Sequence, residues 1–283
     1  MDVLPTVWFI AIAALWIGYL LLEGFDLGVG MHMLVTAKSE TQRRVMLNTI
    51  GPVWDGNERW LITAGAATFA AFPFWYASLF SALYVPLTLV LLGLIFRAVA
   101  IKYRGKGSSE RWTRNWDLAL GLGSFVVAFG VGAMLTLTTT GLPLNENGDR
   151  VGGAFAWLNG YAVLGGLAVV EFCLVHASTL LALKSDGTVW ASAGRWFTRW
   201  TPVALLPIVG WVLVVQVQTG PSSPGRSSSL PSSPFSGGTS TDASGGRGAR
   251  SSASPSSSWP APRRSLRRSS RSCCRRPSTT RSS

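Results

Sequence analysis

Long apolar stretches separated by short polar connections dominate the first three quarters of the chain. Six of them have spanning character: residues 4–35, 49–72, 74–102, 115–140, 154–183 and 201–217. A hydrocarbon core about 30 Å thick is crossed by about 20 apolar residues in a helix. Backbone groups in lipid have no water to bond, so each segment is predicted helical. The expected fold is all-α, a polytopic transmembrane bundle of six spanning helices.

The connections alternate in charge. Lys38, Arg43 and Arg44 follow the first segment, and Lys102, Arg104, Lys106, Arg111 and Arg114 follow the third. Lys184, Arg195 and Arg199 precede the sixth. The turn at Phe72 and Pro73 is uncharged, and residues 145–150 are net acidic. Basic loops favour the cytoplasmic side. One topology satisfies all five connections, with the N-terminus outside. Trp8, Trp112, Trp116, Trp157, Trp190, Trp196 and Trp200 fall near predicted interfaces, as an aromatic belt or as ordinary packing.

Composition agrees. Hydrophobic residues make up 48% and charged residues 13%, with mean hydropathy +0.31. A soluble domain carries about 25% charged residues. The formal charge of +12 sits mostly in residues 220–283, which hold about eleven Arg against one acid, Asp242. The first 219 residues are left near about +2. That distribution argues against nucleic-acid binding, which needs a basic face on a folded domain. Residues 220–283 are rich in Ser, Arg, Pro and Gly and are expected to be a disordered tail, separate from a transmembrane domain over 1–219. A lipid-binding or phosphorylated tail and a segment without selected structure are the two readings. Cys173, Cys273 and Cys274 have no metal or disulfide spacing, and Met1 and Asp2 lack the basic start of a cleavable signal.

Ionisable residues inside spanning segments cost several kcal/mol unless paired or hydrated, so each is a candidate site. Glu23 and Asp26 stand three apart in the first segment, and Asp55 and Glu58 repeat that spacing in the second, beside Arg59. Arg97 closes the third segment and Asp117 opens the fourth. The topology brings all of them to the basic side. They read as a proton route or as a structural ion-pair network, with Asp55 and Arg97 as expected partners. Glu171 and His176 stand five apart and do not stack on one face, which favours an interhelical contact. The only histidines, His32 and His176, lie in distant segments, a weak basis for haem ligation. No metal site is expected. Small residues beside the acids (Gly24, Gly28 and Gly30; Gly121, Gly123, Gly130 and Gly132) allow close helix approach.

Two ordered motifs carry a resemblance. One is Glu23-Gly24-Phe25-Asp26-Leu27-Gly28-Val29-Gly30. The other runs Arg43-Arg44-Val45-Met46-Leu47-Asn48-Thr49-Ile50-Gly51-Pro52-Val53-Trp54-Asp55-Gly56-Asn57-Glu58-Arg59-Trp60-Leu61, followed by Ile62-Thr63-Ala64-Gly65-Ala66 and later Phe96-Arg97. The chain resembles subunit II of cytochrome bd quinol oxidases over about residues 1–219. The resemblance implies a heterodimer in the bacterial cytoplasmic membrane that oxidises quinol and reduces oxygen to water. Haem b and haem d would lie in subunit I, none on this chain. Subunit II would support its partner, hold a quinone tail and contribute acids to proton delivery, with lipid and small single-helix accessory subunits as further neighbours. Asp26, Asp55 and Arg97 carry over by motif, with Glu23 beside them and Gly24, Gly28, Gly30, Trp54, Gly56, Asn57 and Trp60 as motif positions. The family has eight helices, so the change of composition after Gln218 points to a frameshift or misassembled gene. A proton-coupled secondary transporter is the alternative reading of the acids. It lacks support, because no internal repeat is evident and the acids lie off the midplane.

Overall fold

The structure, a computed structural model, describes residues 3–219 apart from 143 and 146. The expected tail over 220–283 lies outside the described residues. The described part is helical, in the order α1 (Val3–Val35), α2 (Glu40–Ile50), α3 (Trp54–Ala71), α4 (Pro73–Ala82), α5 (Tyr84–Tyr103), α6 (Glu110–Thr140), α7 (Gly160–Lys184) and α8 (Gly187–Thr219), with a 3-10 turn over Arg104–Lys106. Among the described residues, five helices are long and apolar enough to cross a membrane: α1, α5 with its 3-10 turn, α6, α7 and α8.

The expected second segment is absent from those five, for a local reason. Gly51-Pro52-Val53 breaks it in two. Before the break lies the short polar helix α2, opened by a capping box in which Ser39 accepts from Gln42 N–H and the Gln42 side chain reaches back. After it, α3 has only 18 residues and carries Asp55, Glu58 and Arg59 in its first turns. The third segment is also divided, at Leu83. Pro86 has no N–H for the carbonyl of Ala82, so the helix restarts at Tyr84 with proline inside its first turn, where that donor is dispensable. The fifth segment begins at Gly160 rather than 154, because the Asn159 side chain caps the helix by accepting from Ala162 N–H. The sixth begins at Gly187, well before 201, and runs through Pro202 and Pro207.

Helices α1, α6 and α7 pack mutually at the centre, and each carries one outer helix: α3 on α1, α5 on α6 and α8 on α7. The core stacks in three layers. Val29, Met33, Met46, Ile50, Leu120 and Leu181 fill the layer at the basic end. Tyr19, Leu27, Val127, Val131, Val169 and Cys173 fill the middle. Leu79, Leu83, Leu137 and Trp157 close the opposite end.

Glycine sets the interhelical distances in this trio. A Cβ on Gly28 of α1 would run into the Cys173 carbonyl and the Ala177 methyl of α7. One on Gly132 of α6 would meet the Gly165 carbonyl of α7. Without a hydrophobic drive between helices in lipid, such close backbone approach is the main source of packing energy. Gly28→Val is therefore expected to push α1 off α7 and cost about 1–3 kcal/mol. Gly65→Ala, in α3 with nothing within 4 Å of the added methyl, should be neutral or gain up to about 1 kcal/mol. Thermal unfolding of the purified protein should show a lowered midpoint for Gly28→Val and an unchanged or raised one for Gly65→Ala.

Candidate functional site

Tyr19, Glu23 and Asp26 stand at i, i+4 and i+7 on α1, which places all three on one helix face. Glu23 lies about 18 Å and Asp26 about 14 Å along the helix from Val35 at the basic end. Across from them, Arg97 reaches in from α5 and Asn57 from α3. Tyr19, Glu23, Asp26 and Arg97 all have 0% exposure. Arg97 Nη1 donates to Glu23 Oε1, an ion pair with both side chains sealed from solvent. Asn57 Nδ2 donates to Asp26 Oδ2 at 2.9 Å and to the Leu22 carbonyl at 3.3 Å. Glu58 is half-buried and acts electrostatically on Arg97.

The cluster is under-satisfied. Tyr19 Oη, Glu23 Oε2, Asp26 Oδ1, Arg97 Nε and Nη2, and Ser124 Oγ have no hydrogen-bond partner among the described residues. A buried polar atom without a partner is costly and rare in a packed interior. Six such atoms on five side chains, five of the atoms on Tyr19, Glu23, Asp26 and Arg97, mark a place where polar capacity is kept free.

A second ionic cluster sits at the basic end and is built in the opposite way. Arg104, 4% exposed, spends its whole guanidinium fork. Nε donates to Asp117 Oδ1 at 2.5 Å and Nη2 to Asp117 Oδ2 at 3.2 Å. Nη1 and Nη2 donate to the two Glu40 oxygens at 3.0 and 2.7 Å. Arg43 adds an ion pair to Asp117 at 3.6 Å. This clamp ties α2 to the end of α5 and the start of α6.

The six acidic and basic residues expected in one network thus divide. Glu23, Asp26 and Arg97 meet, with Glu58 near them. Asp117 belongs to the Arg104 clamp. Asp55 departs from the expectation of pairing with Arg97: its carboxylate accepts from Arg59 at 2.8 Å, and both side chains are largely exposed. Helical phase explains this. Two residues separate Asp55 from Asn57, about 200° around the helix, so when Asn57 turns to α1 Asp55 faces away. Of the motif positions, Gly24 and Gly28 face α7, Gly30 faces Ser124 of α6, Gly56 has open space, and Trp54 is buried with Lys102 over its ring at 5.4 Å. Trp60 fills the space over Gly18. Glu40 and Tyr19 escaped the sequence reading, although the i, i+4, i+7 spacing of Tyr19 with the acids was available.

The histidines brace α1 and α7 reciprocally. His32 Nε2 lies 2.9 Å from the Leu174 carbonyl, and His176 Nε2 lies 3.0 Å from the Leu21 carbonyl. A carbonyl only accepts, so each Nε2 carries a proton. Both rings are thereby committed to the backbone of the opposite helix, an arrangement that does not fit a shared haem between them. Glu171, expected to make an interhelical contact, is half-buried on α7.

The Glu40 carboxyl titrates outside the membrane-spanning helices. Hydrogen bonds from Arg104 hold it down at about 2, against an ordinary value of 4.5. The stabilisation is therefore complete above about pH 4.5 and is lost as pH falls towards 2. The difference in thermal midpoint between the parent and a Glu40→Gln variant should be constant above about pH 5 and vanish near pH 2. Because Glu40 is 43% exposed, solvent screening keeps that difference small.

Comparison with known proteins places the chain. A family model described as cytochrome bd terminal oxidase subunit II matches residues 4–245 and so extends past residue 219, where the apolar pattern stops. The cytochrome bd ubiquinol oxidase subunit 2 of Bacillus subtilis (strain 168) is 36% identical over 219 residues, 77% of this chain and 65% of the relative. The cytochrome bd-I ubiquinol oxidase subunit 2 of Escherichia coli (strain K12) is 38% identical over 190 residues, 66% of this chain and 50% of the relative. The chain thus spans 65% and 50% of the length of these two relatives. With its buried acids, its motif glycines and a match over most of its length, the chain belongs to the cytochrome bd terminal oxidase subunit II family.

Proposed function

We propose that the chain serves as the second subunit of a membrane quinol:oxygen oxidoreductase and delivers protons to it through Asp26 and Glu23. The observation that carries this reading is the sealed cluster in which Asp26 Oδ1 and Glu23 Oε2 keep free acceptor capacity beside a guanidinium with two unpartnered nitrogens. Donors on both oxygens hold a carboxylate in its charged form, whereas a carboxylate with a free oxygen can take a proton there without losing a hydrogen bond. Asp26 and Glu23 each keep such an oxygen, whereas both oxygens of Asp117 and of Glu40 are committed to Arg104.

The geometry supports a division of labour. Arg97 balances the charge of the two α1 acids, so that one can take up a proton without leaving the cluster with a large uncompensated charge. Asn57 fixes the Asp26 carboxyl from α3 and leaves Oδ1 open. Tyr19, i−4 from Glu23, offers a hydroxyl for onward transfer towards the middle of the bundle. The partner, subunit I, carries haem b and haem d, which when bound supply the electron transfer and oxygen chemistry. A quinone of unspecified type and lipid are the apolar neighbours in this reading, and the basic loops face the cytoplasm with the N-terminus outside.

Two outcomes test it. Asp26→Asn preserves the hydrogen bond from Asn57 in shape but cannot bind the proton. In the assembled oxidase it should slow oxygen reduction by about 10²-fold or more with haem content unchanged. Normal turnover in that variant would remove Asp26 from the proton route. The chain expressed without its partner should show no haem absorbance. A haem spectrum from the isolated subunit would mean that the cofactor assignment is wrong.

A further inference from the structure

A cavity of about 170 Å³ opens between α1, α3 and α7 at the basic end. Its lining includes Leu22, Phe25, Asp26, Asn57 and Leu180, with Val53 and Lys184 completing it. Two of these residues are unlike the rest. Asp26 is fully buried, with Oδ1 unpartnered. Lys184 is the last residue of α7 and is exposed. No acid pairs with its ammonium among the described residues, yet its charge acts on Asp26.

We propose that this cavity is the water inlet to the buried acids and that Lys184, at its rim, selects against cations entering it. The proposal rests on the reading of Asp26 as a proton-accepting acid. Two carboxylates three residues apart on one face attract sodium and potassium ions electrostatically as well as binding protons, and those ions far outnumber protons near neutral pH. A proton reaches them by transfer along hydrogen-bonded water, whereas a metal cation has to pass the rim bodily. A fixed ammonium there raises the barrier for the cation throughout its passage, and low-dielectric walls concentrate that field. The charged groups facing the cavity and its floor are Asp26 and Glu23 from α1, Glu58 from α3, Arg97 from α5 and Lys184 from α7. Of these only Lys184 is exposed. The others lie at or behind the floor, and the Glu23–Arg97 pair is internally neutral. Leu22, Phe25, Val53 and Leu180 make most of the wall apolar, and the amide of Asn57 is committed to Asp26 and the Leu22 carbonyl, so little competes with the rim charge.

The test reads ion access rather than turnover. Leu22→Cys is introduced in the assembled oxidase, with Cys273 and Cys274 replaced by Ser and the buried Cys173 left in place. The new thiol is challenged with a negatively charged sulfonate and a positively charged trimethylammonium methanethiosulfonate, and the adduct on this chain is followed by mass spectrometry. Both reagents should label, and adding Lys184→Gln should lower the anion-to-cation rate ratio about tenfold. Lys184→Arg should leave the ratio unchanged. No labelling by either reagent would remove the inlet, and a ratio indifferent to Lys184→Gln would remove the charge filter. Either result can occur whether or not Asp26→Asn slows turnover, so failure here and failure of the proton reading are distinguishable.

Discussion

Arg97 is a cation with no exposed surface in a layer whose other members are mostly hydrocarbon. Desolvating an ion costs several kcal/mol even after relaxation, and only a close counter-charge repays it. That requirement organises the neighbourhood. Glu23 must sit against the guanidinium, which fixes the rotation of α1. Placing Arg97 deep requires α5 to lie hard against α6, and two glycines permit this. A Cβ on Gly123 would fall 2.8 Å from the Gly93 carbonyl and 3.6 Å from Arg97 Cβ. Removing one member of the pair leaves an unpaired charge, which costs about 3–5 kcal/mol at a buried site. Substituting both by apolar residues would cost the fold far less. The ion pair is thus poorly explained by stability alone, and well explained by a cluster that must hold charge.

The hydropathy pattern made the bundle legible, because a span is a long signal and lipid admits little but helix. Its breaks were less legible, since they depend on one or two residues. Pro86 divides α4 from α5, and Gly51-Pro52 separates α2 from α3. Helix α2 was hidden in the run-up to a span, because Thr49 and Ile50 read as the beginning of an apolar segment, although Ile50 with Met46 anchors a short helix to the bundle. The early start of α8 was masked in the same way by Arg195 and Arg199, which look like loop charges but lie on a helix.

Site residues were legible by depth and less so by direction. Charge placement along the helices put Glu23, Asp26 and Arg97 at similar levels, and they do meet. Asp55 was assigned to Arg97 on depth alone. Its helical phase turns it outward, and Arg59 one turn later offers a partner that needs no tertiary contact. Asn57, a motif position without charge, holds Asp26 in its place. Arg104 lay in a run of loop cations that the topology rule treats as solvated. Its burial depends on the 3-10 turn folding it back between α2 and α6, and no periodicity encodes such a turn.

The same residue types build two clusters with opposite hydrogen-bond accounts, and the contrast separates scaffold from site. At Arg104 every guanidinium nitrogen is used and both carboxylates are held at both oxygens. Bidentate pairing of this kind fixes geometry and leaves no group free to change protonation without breaking a bond. At Arg97 only Nη1 is engaged, while Nε, Nη2 and one oxygen on each α1 acid are free. Moving a proton onto Glu23 Oε2 or Asp26 Oδ1 therefore breaks no existing hydrogen bond. The saturated clamp lies nearer the basic end, where α2 and the 3-10 turn join the bundle, and the unsaturated cluster lies deeper, behind a cavity. Saturation gives the basic end a fixed frame, whereas the free oxygens let the deeper cluster change its charge without losing a hydrogen bond.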